Sequence, residues 1–333
     1  MTDRLTRRAV LRRTAFSLLP ALTLGHLPTA HGRAALSASV SDEQWTDPMR
    51  SRTLPVRLRW PEGSPPPGGW PVVLFSHGLG GTVDAGTVFA QAWAAAGLLV
   101  LHLQHPGSDA AVLRDGGLRG FHAAASAEQL VARVSDVRFV LDEIARRHVA
   151  GIGRWRDARP AAPGLAGHSF GAHTTLAVAG QRFPVGPTLA DPRPAAFAAL
   201  SPSPPQRGDM TTAFGAITRP VLCLTGTLDD DVIGNGATAE RRARVVEALP
   251  PGRRAGLVLE DADHMTFAGQ AGGRLERLRQ RPEAARAAQP RHHALLAQIS
   301  TDWWRWTLQG DATARERLRQ PEGLKSGDRW AID

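Results

Sequence analysis

The chain has 333 residues, 42% hydrophobic and 21% charged, with 34 glycines and 25 prolines. That mix excludes a disordered chain, a collagen-like repeat and a polytopic membrane protein, and the length accommodates one large core with excursions. The net charge of +9 is concentrated at the amino terminus: residues 1–33 hold six arginines against Asp3, and the remainder carries 34 basic and 30 acidic residues. No aromatic-basic interleaving accompanies the charge, so no nucleic-acid partner is expected. Cys223 is the only cysteine, which excludes an intramolecular disulfide, a zinc finger and a Cys-ligated cluster.

Thr6-Arg7-Arg8-Ala9-Val10-Leu11-Arg12 sets adjacent arginines ahead of a short apolar run, Ala15 to Gly25, interrupted by Pro20. The order resembles a twin-arginine export signal, and the run falls short of the ~20 residues that span a bilayer. Small residues around Ala30, Ala34 and Ala38 offer cleavage points that the sequence does not rank. Residues 1–34 are therefore expected to be a signal peptide that sends the protein to the periplasm or beyond, with no permanent membrane anchor.

Further along, short apolar runs alternate with helical patterns, the sign of strand-helix-strand units around a parallel sheet. The runs are Val72–Ser76, Leu98–Leu103, Gly164–Gly167, Ala195–Leu200, Val221–Thr225 and Gly256–Glu260. They are continuous instead of alternating, as strands buried on both faces require. Leu130, Val134, Val137, Leu141 and Ile144 recur at helical spacing, and Ser126 with Gln129 forms a capping-box pattern at that helix's start. Ala172–Ala179 predicts a further helix ending at Gly180, and a closing helix carries Leu295, Ile299, Trp303 and Trp306 on a stripe suited to packing on the sheet. Irregular stretches are expected at 61–69, 105–125, 183–194, 201–218 and 269–290. Most follow a strand, at the sheet edge where open α/β folds bind ligands, so they are candidate walls of a cleft.

Gly167-His168-Ser169-Phe170-Gly171 fits G-x-S-x-G between a strand and a helix, the context of a nucleophile elbow. A sharp turn there lifts the serine Oγ clear of the backbone, at the positive end of a helix dipole, and needs small flanking residues. Serine is a weak nucleophile without an oriented base, and in this fold acid and histidine follow in the order Ser, Asp, His. Val221–Thr225 runs into Gly226-Thr227-Leu228-Asp229, so Asp229 is preferred as the acid, with Asp230 next to it still open and Asp231 read as a solvated turn. His264, in the loop after the strand Gly256–Glu260, fills the third slot.

An oxyanion hole needs two backbone donors, the residue after the nucleophile and one from the loop after an early strand. Those are Phe170 and, in His77-Gly78-Leu79-Gly80-Gly81, Leu79 with Gly80 as second choice. The Gly-rich turn lacks the lysine of a phosphate loop. Among the twelve histidines none shows helical ligand spacing with a carboxylate, and the adjacent His292-His293 diverge on a helix, so neither metal nor cofactor is expected. His168 and His173 are read as structural.

Ser76-His77-Gly78-Leu79-Gly80-Gly81, His105-Pro106-Gly107-Ser108-Asp109, Gly167–Gly171 and His264-Met265-Thr266-Phe267 together resemble the α/β-hydrolase superfamily. Within it they are similar to an exported branch related to dienelactone hydrolases and platelet-activating-factor acetylhydrolases. The resemblance implies an α/β-hydrolase fold: a mostly parallel central sheet flanked by helices, with cleft-forming loop insertions, over residues 45–310, with 311–333 as a C-terminal tail. It also implies cofactor-free hydrolysis of a small-molecule or polymeric carboxylic ester by Ser169, Asp229 and His264. Alternatives are an amide or peptide hydrolase with the same triad and a noncatalytic binding protein on the scaffold. Ala172 stands where relatives often have a second glycine and Gln104 where many have aspartate, so that loop is expected to be held differently.

Overall fold

The computed structural model describes residues 36–270 and 280–333. The chain opens with an antiparallel hairpin, β1 (Ala38–Asp47) and β2 (Arg52–Pro61), and continues as β3 (Trp70–Ser76), α1 (Thr87–Ala95), β4 (Leu99–Leu103), α2 (Ala110–Ala123) and α3 (Ala127–Val149). Then come β5 (Ala158–His168), α4 (Phe170–Ala179), β6 (Ala196–Leu200), the short α5 (Met210–Phe214), β7 (Val221–Leu228) and the short α6 (Ala239–Ala243). The last elements are β8 (Arg254–Asp263), α7 (Glu283–Gln309), α8 (Ala312–Arg319) and β9 (Arg329–Ile332). One sheet holds all nine strands in the order β1-β2-β4-β3-β5-β6-β7-β8-β9. The six from β4 to β8 are parallel, and β2, β1 and β9 extend the edges antiparallel. A crossover sheet of this order, with an elbow at the tip of β5, is the α/β-hydrolase fold.

Every residue of β3, β4 and β6 is buried, which is why their sequences read as unbroken apolar runs. Alternation still decides which core each side chain joins. Val72 and Leu74 of β3 face a core completed by the expected stripe Leu130, Val134, Val137, Leu141 and Ile144 of α3, together with Leu176 of α4. Val73 and Phe75 face the opposite core, with Phe89 and Trp93 of α1 and Leu295, Ile299, Trp303 and Trp304 of α7. The stripe on α7 includes a residue the spacing did not single out: Trp304 is fully buried, and its ring lies so close over Gly164 that a Cβ there would stand 2.7 Å from it.

Several expectations are corrected. The strands β1, β2 and β9 have no continuous apolar run in the sequence, because they lie toward the margins of the sheet with part of their surface open to solvent. The stretch 105–125 is not irregular: it contains α2, bent at Gly117 (φ 54°, ψ −153°) and capped by Asp109, whose side chain accepts from Ala111 N–H at 3.2 Å. Three glycines, Gly116, Gly117 and Gly120, and a weak apolar pattern hid it. Residues 311–333 do not hang free, since α8 packs Leu318 into the core and β9 pairs with β8. Half of the capping box forms: Ser126 Oγ accepts from Gln129 N–H at 3.2 Å, while the Gln129 side chain lies against Gly107. The signal expected over residues 1–34 lies outside the described residues. Among those described, no helix is long and apolar enough to cross a membrane.

Candidate active site

The site is built at the carboxyl edge of the parallel strands, where β5 meets α4. Ser169 sits between them with φ 56° and ψ −114°, a left-handed conformation that costs a non-glycine residue roughly 1–3 kcal/mol and is sustained only by its surroundings. Those surroundings are tight. A Cβ on Gly171 would stand 1.9 Å from Ser76 O, and one on Gly167 would stand 2.3 Å from Gly171 O. Both glycines of the motif are therefore required by the close passage of α4 over the ends of β3 and β5. Ala172, by contrast, is buried without clash in the α3-side core.

His264 begins a short 3-10 turn after β8, and Asp263 caps that turn by accepting from Thr266 N–H at 3.0 Å. Arg281 in turn holds Asp263, Nε to Oδ2 at 2.7 Å. His264 Nε2 lies 2.9 Å from Ser169 Oγ, and its Nδ1 lies 2.7 Å from Asp229 Oδ1. An ionised carboxylate only accepts, so Nδ1 carries the proton, donates to Asp229, and leaves Nε2 to accept from the serine hydroxyl.

Asp229 follows β7 and is fully buried, whereas the neighbouring Asp230 is exposed and accepts from Ala239 N–H at 3.1 Å. Asp231 closes a turn by accepting from Ile233, Gly234 and Gly236 N–H groups. Of the three acids, Asp229 alone contacts His264. Burial opposes its charge, but Arg242, His264 and Ser201 outweigh burial and hold its carboxyl at about 2. Thr225 Oγ1 donates to Oδ2 at 2.7 Å, and Arg242 Nε stands 3.3 Å from Oδ1 while its Nη1 donates to Ser201 O and Pro202 O.

Three of these partners were not among the sequence-read residues: Thr225, Arg242 and Ser201. Ser201, at the tip of β6 with φ 57°, donates from Oγ to Asp229 Oδ1 at 2.7 Å and lies 2.8 Å from His264 Nδ1, so it shares that proton with the carboxylate. The Leu200-Ser201-Pro202 stretch carries no recognisable spacing; only the parallel register of β6 between β5 and β7 brings the serine there.

The His77-Gly78-Leu79-Gly80-Gly81 turn follows β3 on the other side of Ser169. Gly80 N–H is committed to Ser108 O at 2.9 Å and Gly81 N–H to Gly78 O at 3.0 Å. Among the described residues neither Leu79 N–H nor Phe170 N–H has an intramolecular acceptor. Both residues line, with Ser169, a cleft of about 560 Å³, within the range of small-molecule sites. Its walls come from the 122–130 segment at the start of α3, from 181–184, from 203–207 and from 232–235. Arg182, Arg207 and Arg242 are in the lining, and among the described residues no acidic side chain is.

The flanking histidines are structural. His168 Nε2 donates to His264 O at 3.0 Å, and burial, then His264, pushes its pKa down to about 3. His173 packs between the rings of Phe170 and Phe183, with burial lowering it to about 4. Gln104 Nε2 donates to Asp109 Oδ2 at 2.8 Å, tying the loop after β4 to the cap of α2. Among the described residues no group of three His, Cys, Asp or Glu side chains is placed to hold a metal ion.

No known family model matches the chain, and no curated protein matches it. Among solved structures, the native form of a cold-adapted esterase from an Arctic intertidal metagenomic library is 18% identical over 70% of this chain and 88% of its own, with a TM-score of 0.45. A zinc-bound structure of a cold-adapted esterase from an Arctic intertidal metagenomic library gives 19%, 68%, 86% and a TM-score of 0.45. Likeness at that distance carries no activity across.

Proposed function

We propose that this chain is a serine hydrolase of carboxylic esters, acting through an acyl-enzyme. The observation that carries the reading is the hydrogen-bonded series Ser169 Oγ, His264 Nε2, His264 Nδ1 and Asp229 Oδ1, with steps of 2.9 and 2.7 Å, on a strained elbow that lines the cleft. Ser169 Oγ attacks the ester carbonyl carbon as its proton passes to His264 Nε2. The carbonyl oxygen, now negative, is held by Leu79 and Phe170 N–H groups that have no other acceptor among the described residues. Collapse expels the alcohol, which takes the proton back from His264, and water activated by the same imidazole then releases the acid. Asp229 keeps the imidazole in the required tautomer and stabilises its cationic form.

The substrate is read as a small or polymeric ester, in keeping with the motif resemblance to the dienelactone hydrolase and platelet-activating-factor acetylhydrolase branch. The amino-terminal arginine pair and apolar run add export of the folded protein through a twin-arginine route. A series of p-nitrophenyl esters from acetate upward, run on wild type and Ser169→Ala, tests the activity. Hydrolysis and fluorophosphonate labelling by wild type alone are expected, whereas a folded wild type that does neither overturns the reading. Faster turnover of an anilide than of its isosteric ester would move the assignment to amide hydrolysis.

A further inference from the structure

Beneath the turn that carries Leu79 lies a buried cation that the reaction described above does not use. Arg133, on α3, is wholly buried and makes no ion pair among the described residues. Its guanidinium is spent on the backbone of the turn: Nη1 donates to His77 O at 2.7 Å, and Nη2 lies 3.5 Å from Gly78 O and 3.4 Å from Ser108 O. Nε donates to Ser108 Oγ at 2.8 Å. The Nη2 approach of 3.2 Å to His77 Nδ1 is a contact between two N–H groups, because His77 Nδ1 already donates to Gly78 O at 2.6 Å and Nε2 accepts from His105 N–H at 3.0 Å. On the far side, the Arg133 guanidinium carbon sits 4.4 Å from the centre of the Phe170 ring.

The consequence follows from peptide geometry. The Gly78 carbonyl and the Leu79 N–H belong to one planar trans unit and point in opposite directions. Gly78 O is fixed by His77 Nδ1–H at 2.6 Å and Gly81 N–H at 3.0 Å, with Arg133 beside it at 3.5 Å. Fixing the oxygen on the inner side aims the Leu79 N–H at the opposite side. Donors on the carbonyl also polarise the peptide and make its N–H a stronger donor. Phe170, the other donor residue, rests its ring on the same guanidinium. One side chain thus touches both halves of the place where negative charge develops, from behind and out of reach of substrate.

We propose that Arg133 is the positioning residue of the oxyanion hole, holding the Gly78–Leu79 peptide and the Phe170 side chain in register and supplying a fixed positive charge behind them. The burial of a guanidinium with no carboxylate partner has a substantial desolvation cost, and three backbone carbonyls and the Phe170 ring are what offset it here. The proposal rests on the reading of Leu79 and Phe170 as oxyanion donors.

The test compares wild type, Arg133→Met and Arg133→Lys on p-nitrophenyl butyrate, together with inhibition by an alkyl trifluoromethyl ketone, whose adduct with serine bears an oxyanion. Removing a whole donor from such a hole costs about 10²–10³-fold in kcat. Arg133→Met is expected to lose about 10²-fold in kcat with KM within about threefold, and to weaken the ketone by a matching factor. Arg133→Lys, keeping charge but not the fork, should recover part of both. A folded Arg133→Met whose kcat and ketone inhibition match wild type overturns the proposal, as does a loss of kcat with ketone affinity unchanged. In wild type labelled with 15N-arginine, the slowly exchanging Nε–H resonance of Arg133 should move when the ketone binds, so the question is decided even if the variants do not fold. A resonance that stays put also overturns the proposal. Should wild type neither hydrolyse the ester nor bind the ketone, it is the esterase reading that fails.

Discussion

The molecule contains two Ser-His-Asp series of the same composition and nearly the same spacing. In the cleft, Ser169, His264 and Asp229 are linked at 2.9 and 2.7 Å. Beneath it, Ser76 Oγ lies 2.9 Å from His105 Nε2, and His105 Nδ1 lies 3.0 Å from Asp136 Oδ2. The tautomer reasoning is identical, with each carboxylate fixing the proton on Nδ1 and each serine donating to Nε2. Their surroundings differ. Ser76 is the last residue of β3 and has no exposed surface, whereas Ser169 is half-buried, strained at φ 56° and opens on the cleft. Asp136 is held at about 2 against burial by His105 and by Arg52, with Arg50 also in contact, so the inner series is a sealed ion-pair network. A triad is therefore not identified by its hydrogen bonds. Access for a carbonyl carbon, and the Leu79 and Phe170 N–H groups that have no acceptor among the described residues, separate the set proposed to react from the sealed one.

The sharpest way to break this comparison is serine against serine. Ser169→Ala is expected to lower kcat by about 10⁴–10⁶-fold. Ser76→Ala should leave kcat within about threefold and instead cost roughly 1–3 kcal/mol of stability, because a buried imidazole nitrogen loses its partner. Ester turnover and urea unfolding measure the two. Equal losses of turnover in both variants would dissolve the distinction.

The acids should divide the same way. Asp229→Asn is expected to reduce kcat by about 10⁴-fold by upsetting the His264 tautomer. Asp136→Asn should cost roughly 3 kcal/mol in urea titration, since Arg50, Arg52 and His105 lose their common counter-charge, with a far smaller effect on kcat.

A finer effect concerns Ser201, which donates to Asp229 and shares the His264 proton. Ser201→Ala should lower kcat about tenfold, the loss of one hydrogen bond to a charged group, without changing KM. A variant with unchanged kcat would show that Thr225 and Arg242 suffice to hold the carboxylate.

The smallest expected effect separates the two sets by pH. Burial pushes His105 down to about 4 and His102 and His168 to about 3, and lowers His77 well below its ordinary value. Folded, these rings stay neutral where the unfolded chain takes up protons, so stability is full above pH 6.5 and declines as pH falls from 6.5, to about 4 for His105 and to about 3 for His102 and His168. Asp229 and Asp136, depressed from 3.8 to about 2, add a further loss as pH drops below 3.8. His105→Gln should flatten the dependence of unfolding free energy on pH by about one proton between pH 6.5 and about 4. A slope identical to wild type would place the His105 titration elsewhere.

Much of this arrangement was legible before folding. Strands buried on both faces must be continuously apolar, so β3 to β8 announced themselves, and an elbow needs glycines around its serine, so Ser169 did too. Chain order and loop position then led to Asp229 and His264, and adjacent acids left the choice with Asp230 open. What no spacing revealed is what depends on neighbours across the sheet. Solvent-facing edge strands lack the run that marks an inner strand. Burial and the contact with His264 separate Asp229 from Asp230. Ser201, Arg242 and Arg133 reach their places only because β5, β6 and β7 lie side by side and α3 packs behind the turn at Gly78. Local sequence fixes backbone conformation and chemistry one residue at a time; desolvation and hydrogen-bond partnership are properties of pairs far apart in the chain, and tertiary packing decides them.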